Sequence, residues 1–268
     1  MVLNFKDLPP SALPEGAKEG HTFTSIMINT PVYLKYLLDT AVSLGATKIR
    51  ETLPKSSTLE GTLRHASDVL RAHHGPANAL PTPDPQIDAF VNATGLGARI
   101  LVPDEAMYPI RGQTVTVKGE AKRITTIDSN PTFSNPQSLG SLEPNITYVL
   151  PRPHSGTTIL GGTKQAGNWN TTPDPETTEK ILENAKAWAP ELLNENGEFD
   201  VVSVQVGLRP GRTGGARVEL ERMGDFVVCH SYGHAGAGYQ NSVGSARKVV
   251  KLFHQHFGTE RENDAAKL

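Results

Sequence analysis

Chemistry in this 268-residue chain has few places to reside, and glycine marks two of them. Ala93-Thr94-Gly95-Leu96-Gly97-Ala98 follows an apolar run that reads as a buried strand, and it leads into a short helix. Tyr232-Gly233-His234-Ala235-Gly236-Ala237-Gly238-Tyr239-Gln240 lies between the strand DFVVCH and a long final helix. Glycines let a backbone approach a bulky ligand closely, and a following helix offers free N–H groups and the positive end of its dipole to negative charge. Tight-turn packing accounts for the same glycines without any ligand. Neither loop is a strict G-x-G-x-x-G, since Ile100 and Asn241 occupy the last glycine position. The third feature is Arg209-Pro210-Gly211-Arg212, at the end of a strand. A guanidinium there matches a carboxylate bidentately, or else serves a surface ion pair; the strand-end position favours at least one arginine facing a cleft.

Other chemistries find no support. The chain contains no G-x-S-x-G, H-E-x-x-H or G-x-x-x-x-G-K-[ST] motif. His73-His74 and His254/His256 lack the i, i+4 spacing of a helical metal site and read as solvated faces, so no metal is expected. A single cysteine, Cys229, rules out a disulfide framework. The net charge of −2 gives no broad attraction to nucleic acid or to anionic membranes. No apolar run approaches the ~18 residues of a membrane span, and the proline-broken first twenty residues do not read as a signal peptide. With 37% hydrophobic and 20% charged residues, the expectation is a soluble intracellular globular protein. The ending Ala266-Lys267-Leu268 is close to the S-K-L peroxisomal address, which an import receptor would read; an arbitrary frayed terminus is the alternative.

The elements that must position these residues follow from pattern. Residues 1–24 read as an extended, proline-broken entry. A helix is expected next, with Asn29 or Thr30 as its cap, Pro31 in the first turn and Gly45 as its stop. Tyr33, Leu34, Leu37, Leu38, Ala41 and Leu44 form its apolar face. ATKIRET reads as a short strand, residues 59–73 as a helix, and GPANALPTPDP as a surface loop. From Arg111 to Gly162 the pattern turns to β, with GQTVTV, KRITTI, TYVL and TTILGG as strands. Asp174 caps a helix led by Pro175, FDVVSVQVGLRP and RVELE are strands, and the last helix ends near Phe257. With 25 glycines and 20 prolines, above the usual ~12% combined share, the chain is rich in turns. The expected architecture is an α/β layer at both ends of the chain with a mostly antiparallel sheet between them.

Read in order, these segments resemble the D-amino-acid oxidase family of FAD-dependent flavoproteins. INTPVYLKYL, VNATGLGAR, YPIRGQTV, TYVLPRP with TTILGGTKQAGNW, GLRPGR and VCHSYGHAGAGYQNSVGSA each resemble a family segment, in family order, from about Ile28 to Leu268. The resemblance implies a Rossmann-like FAD domain (25–104 and 223–258) interleaved with a substrate domain (105–222), and a flexible targeting tail (259–268). It implies FAD as cofactor and a D-amino acid and dioxygen as substrates, giving a 2-oxo acid, ammonia and hydrogen peroxide. Hydride transfer of this kind asks the protein for orientation rather than for an acid or base, so His234 is expected to be structural or flavin-adjacent. By position, Arg212 and Tyr148 would hold the substrate carboxylate, and a Gly236 backbone group would meet the amino group. Thr94, Gly95, Gly233, Gly236, Ala237, Gly238, Tyr239 and Gln240 would fall on the flavin side. A homodimer is compatible with this reading.

Two departures from the family pattern give the alternatives. Lys164 stands where many members carry a tyrosine, which suggests a D-aspartate-oxidase-like preference for acidic substrates unless the side chain points to solvent. The opening strand and G-x-G-x-x-G turn of the family are not in this sequence. The FAD domain is therefore expected to be N-terminally incomplete, with a non-catalytic remnant that binds FAD poorly as the second alternative.

Overall fold

The computed structural model describes residues 3–13, 17–74, 87–128 and 146–265. The extended, proline-broken entry expected for residues 1–24 contains a hairpin, β1 (Leu3–Asp7) against β2 (His21–Thr24). Helix α1 (Thr30–Ser43) follows, with Pro31 in its first turn and Gly45 beyond its end at a φ of 97°. No residue of α1 is buried, so the apolar stripe that predicts the helix is uncovered among the described residues. Asn29 ties its start to the rest of the chain through Nδ2, which donates to the Pro153 carbonyl at 3.1 Å. ATKIRET forms no strand, a correction to the sequence reading. Its apolar groups are interleaved with exposed polar ones, and no partner strand lies beside it among the described residues. The proline-rich loop at 75–85 lies outside the described residues.

Helix α2 (Leu59–His74) packs Leu59 and Leu63 against a three-stranded sheet. That sheet contains β3 (Phe90–Asn92) and two later strands. After β3 come a single 3₁₀ turn at Gly95–Gly97 and the short α3 (Ala98–Leu101). The chain then enters β4 (Met107–Lys118), a long and almost wholly buried strand. It heads a six-stranded antiparallel sheet with β5 (Thr125–Asp128), β6 (Ile146–Arg152), β7 (Thr157–Gly161), β8 (Gln165–Ala166) and, after helix α4 (Pro175–Lys186), β9 (Val201–Arg212). Asp174 caps α4 as its sequence demands, accepting from the Thr177 N–H at 2.8 Å. One sheet face builds the main core: Val115, Val117, Val149 and Leu160 pack under Ile181, Ala185 and Ala189. Beside that core the buried Arg111 guanidinium pins the loop before α4, donating to the Asn170 and Thr172 carbonyls at 2.8 Å each and to Gln113 and Gln165.

The chain returns to the first layer through β10 (Arg217–Met223) and β11 (Phe226–Tyr232), ordered β10-β11-β3, with β11 parallel to β3. Since β10 pairs with β11, the crossing between sheets falls between Arg212 and Arg217 and not after residue 222 as the sequence suggested. A 3₁₀ turn at Ala235–Ala237 leads into α5 (Gly238–Ala265), which packs on β10 and β11 and runs past the expected end near Phe257. No described helix is long and apolar enough to cross a membrane. Ala266, Lys267 and Leu268 lie outside the described residues.

Candidate functional site

Strand register decides which side chains share a face of the six-stranded sheet. Residues directly opposite one another in an antiparallel pair point the same way, as do residues two apart along a strand. Tyr148 is opposite Gly161, Gly161 is opposite Thr114, and Thr114 is opposite Gln205. Four residues beyond Gln205, and so on that same face, stands Arg209. This face is the one turned away from the Val115–Leu160 core.

Glycines hollow it out. A Cβ at Gly161 or Gly162 would run into the Tyr148 ring, and one at Gly112 would stand 2.6–2.7 Å from Nη2 and Cζ of Arg209. Gly112 is itself opposite Gly207, so the guanidinium lies across a strip with no side chains. Arg209 Nη1 donates to the Thr163 carbonyl at 3.3 Å. Burial raises the pKa of the partly buried Tyr148 phenol, and the adjacent Arg209 offsets part of that rise, so the group is a neutral hydroxyl donor at physiological pH. A partly buried guanidinium and a phenol on a glycine floor can hold one carboxylate between them.

Arg212, expected to take the substrate carboxylate, is placed elsewhere. Three residues from Arg209, an odd spacing, it falls on the other face of β9. Its Nε donates to Asp104 Oδ2 at 2.9 Å and its Nη1 to the Gly215 carbonyl at 3.2 Å. Arg209 is the arginine that stands beside Tyr148, and the sequence reading noted it without choosing it. Alternation along β9 was the signal that distinguishes the two. Asp104 was missed altogether. Burial pushes its carboxyl pKa up, but hydrogen bonds from Arg212, from the Tyr232 hydroxyl at 2.8 Å and from the Ala106 N–H at 3.1 Å outweigh this and hold it below the usual range.

Both glycine turns close around the arginine end of β9. Gly95, at a φ of 56°, would bring a Cβ to 3.8 Å from Pro210, and Gly236 would bring one to 3.9 Å from Cδ of Arg209. Thr94, Gly236, Gly238, Tyr239 and Gln240 are exposed, with Gly95 and Ala237 partly so. Gly233 differs: it is buried at a φ of 82°, and a Cβ there would stand 2.8 Å from Arg212, so this glycine shapes the loop from beneath. His234 Nε2 pairs with Ser245 Oγ at 2.8 Å and anchors the loop to α5. Lys164 is partly buried beside Thr163, and among the described residues it has no ion-pair or hydrogen-bond partner. A cavity of about 290 Å³ touches Gly161 and Gly162 from the side of α4, but neither Tyr148 nor Arg209 lines it.

A family model described as DAO, FAD dependent oxidoreductase, matches residues 5–252. A D-amino-acid oxidase from Fusarium vanettenii is 35% identical over 257 residues, 94% of this chain and 64% of that protein. A D-aspartate oxidase from Talaromyces thermophilus is 32% identical over 249 residues, 92% of this chain and 58% of that protein. The solved structure of an iminodiacetate oxidase from Chelativorans sp. BNC1 shares the fold with a TM-score of 0.52 at 16% identity, covering 84% of this chain and 55% of that one. The chain thus spans less than two-thirds of the length of these relatives.

Proposed function

We propose, because this chain belongs to the DAO family of FAD dependent oxidoreductases, that it carries the substrate-holding part of an FAD-dependent D-amino-acid oxidase. The observation that carries the reading is the pairing of Tyr148 and Arg209 on one glycine-floored face, flanked by two glycine turns. In this arrangement the Arg209 fork and the Tyr148 hydroxyl hold the substrate carboxylate, while exposed backbone at Gly236 is near enough to receive the amino group. With both ends of the substrate tied, its Cα–H is held in a single orientation, which is the main demand of hydride transfer.

The residues present fit the ring end of a flavin. The exposed Thr94, Gly238, Tyr239 and Gln240 and the partly exposed Gly95 and Ala237 border the site, and a Cβ at Gly238 would meet nothing within 4 Å. The start of the 28-residue α5 adds the positive end of its dipole, where negative charge on a ring edge is stabilised. When bound, FAD supplies acceptance of the Cα hydride, with dioxygen as the final oxidant; the imino acid released hydrolyses to a 2-oxo acid and ammonia.

Lys164 favours an acidic substrate within this class. Partly buried and without a counter-ion among the described residues, it can meet a second, side-chain carboxylate. The purified chain, incubated with FAD and desalted, is expected to retain a visible flavin spectrum and to produce hydrogen peroxide from D-aspartate or D-alanine. Protein that stays colourless overturns the oxidase reading and leaves the non-catalytic remnant. Lys164→Tyr is expected to lower the D-Asp/D-Ala ratio of kcat/KM about tenfold or more, as loss of a charge-assisted contact does. An unchanged ratio removes Lys164 from specificity.

Residues 266–268 support delivery to peroxisomes by the import receptor that reads such endings, a compartment suited to an oxidase releasing hydrogen peroxide. A fluorescent fusion is expected to be punctate and to become diffuse when these three residues are deleted. Puncta that persist would remove the assignment.

A further inference from the structure

His230 is completely buried, and its two ring nitrogens have different partners. Asn92, opposite it on β3, fixes the arrangement. The Asn92 side-chain oxygen accepts from the Thr94 N–H at 3.2 Å and from the Thr94 hydroxyl at 2.7 Å, so its amide nitrogen is the atom turned toward His230. That nitrogen donates to His230 Nδ1 at 3.2 Å, which leaves Nδ1 as acceptor and the ring proton on Nε2. Nε2–H in turn donates to Glu221 at 3.0 Å.

The chain of bonds continues in one direction. Arg217 donates to the same Glu221 oxygen at 2.8 Å and to the Tyr232 hydroxyl at 3.0 Å. The Tyr232 hydroxyl donates to Asp104, which also holds Arg212, and Arg212 lies on Gly233. One continuous network therefore joins Thr94 in the first glycine turn to Arg212 at the end of β9 and to Gly233 in the second turn. Only an Nε2–H imidazole satisfies both Asn92 and Glu221.

We propose that His230 is a positioning residue whose neutral Nε2–H form sets the geometry of the first glycine turn, so that its protonation loosens that turn and weakens flavin binding. The binding consequence rests on the flavin reading above; the linkage between His230 and Thr94 does not. A proton on Nδ1 would put two donors face to face at the Asn92 contact. The amide then turns over and gives up both Thr94 bonds, or the ring shifts from Glu221. The charged groups acting on the ring are Arg217, Glu221 and Glu219 of β10; β3 presents the neutral Asn92, and β11 the Tyr232 phenol, edge-on at 5.7 Å. Burial first and then Arg217 lower the His230 pKa against the pull of the two glutamates, which keeps the ring neutral at physiological pH.

The test compares the full chain with Asn92→Asp. The carboxylate introduced by this substitution still accepts from Thr94 but also accepts from a protonated Nδ1, so it moves the His230 midpoint to higher pH while preserving shape. Nitrogen-15 NMR of the unmodified chain at pH 7 is expected to show a lone-pair Nδ1 and a protonated Nε2. The Thr94 and Gly95 amide signals are expected to move with the same midpoint as the ring, and Asn92→Asp to shift both midpoints upward together. An Nδ1–H tautomer, or Thr94 signals that ignore the ring, overturns the linkage. Fluorescence titration with FAD is expected to show the dissociation constant of the unmodified chain rising up to about tenfold per pH unit below the midpoint, and to lose that rise in Asn92→Asp, whose carboxylate accepts from the protonated ring without releasing Thr94. Superimposed profiles overturn the proposed effect on binding. Failure of FAD to bind at any pH overturns the flavin reading, and the NMR midpoints still decide the linkage.

Discussion

On the proposed oxidase reading, Arg209→Met is expected to lower kcat/KM for a D-amino acid by about 10²- to 10³-fold, whereas Arg212→Met is expected to leave it within about tenfold and to lower the melting temperature instead. The difference follows from what each guanidinium touches. Arg209 has the Thr163 carbonyl and Tyr148 beside it and, among the described residues, no carboxylate as a hydrogen-bond partner, so its charge is available to a ligand. Removing one member of a desolvated, hydrogen-bonded charge pair costs about 2–5 kcal/mol, and every ~1.4 kcal/mol is a factor of ten. Arg212 already has Asp104. Its loss leaves that carboxylate with the Tyr232 hydroxyl and the Ala106 N–H but no cation. Oxygen-uptake kinetics and thermal melts on the two variants decide the matter. The reverse pattern would return the carboxylate anchor to Arg212.

Asp104→Asn is expected to have the largest effect on stability. The Asp104 side chain is 9% exposed and collects Arg212, Tyr232 and the Ala106 N–H. An amide keeps one acceptor and loses the charge, which breaks a mostly buried ion pair. Those pairs lose about 3–5 kcal/mol when one partner is removed, and with Arg212 partly solvated about 2 kcal/mol is expected here. At roughly 2–4 °C per kcal/mol for a chain of this size, the melting temperature falls by about 4–8 °C. The pH dependence fixes the cause. The folded-state pKa of Asp104 lies below its unfolded value, so the stabilisation is fully present above about pH 4 and is lost as pH falls through the lower folded value. Melting curves of the two proteins, separate at pH 7, should converge below about pH 4. A constant gap down to pH 2 would mean that shape and not charge is responsible.

The same residues show how far the sequence can be read. The α4 cap at Asp174, the strands from Arg111 to Gly162, and the strand–turn–helix units at both glycine loops are local events, written in a few adjacent residues, and the structure has them close to where pattern places them, except that β5 starts at Thr125 and the edge strand β3 is only partly buried. Arg209 and Arg212 share one hexapeptide, and only their parity on β9 separates them. That separation becomes visible once Tyr148, Gly161 and Thr114 are known to lie opposite one another, because strand pairing is not written in either arginine's neighbourhood. Asp104, Asn92 and His230 were invisible for a related reason. Each is an ordinary polar residue near a turn until three strands and two loops bring their donors and acceptors together. The α1 stripe shows the converse, a correct local period that names a helix without naming what lies against it.

The pairing of β4 with β9 also has a kinetic side. Met107–Lys118 and Val201–Arg212 meet only after a loop on the order of 100 residues has closed, and contacts this distant in sequence form late because chain entropy opposes them. Gly112 lies on one of these strands and Arg209 on the other. The face that carries Tyr148 and Arg209 therefore has no local precursor: a partly folded chain can hold its helices and its hairpins and still lack this face entirely.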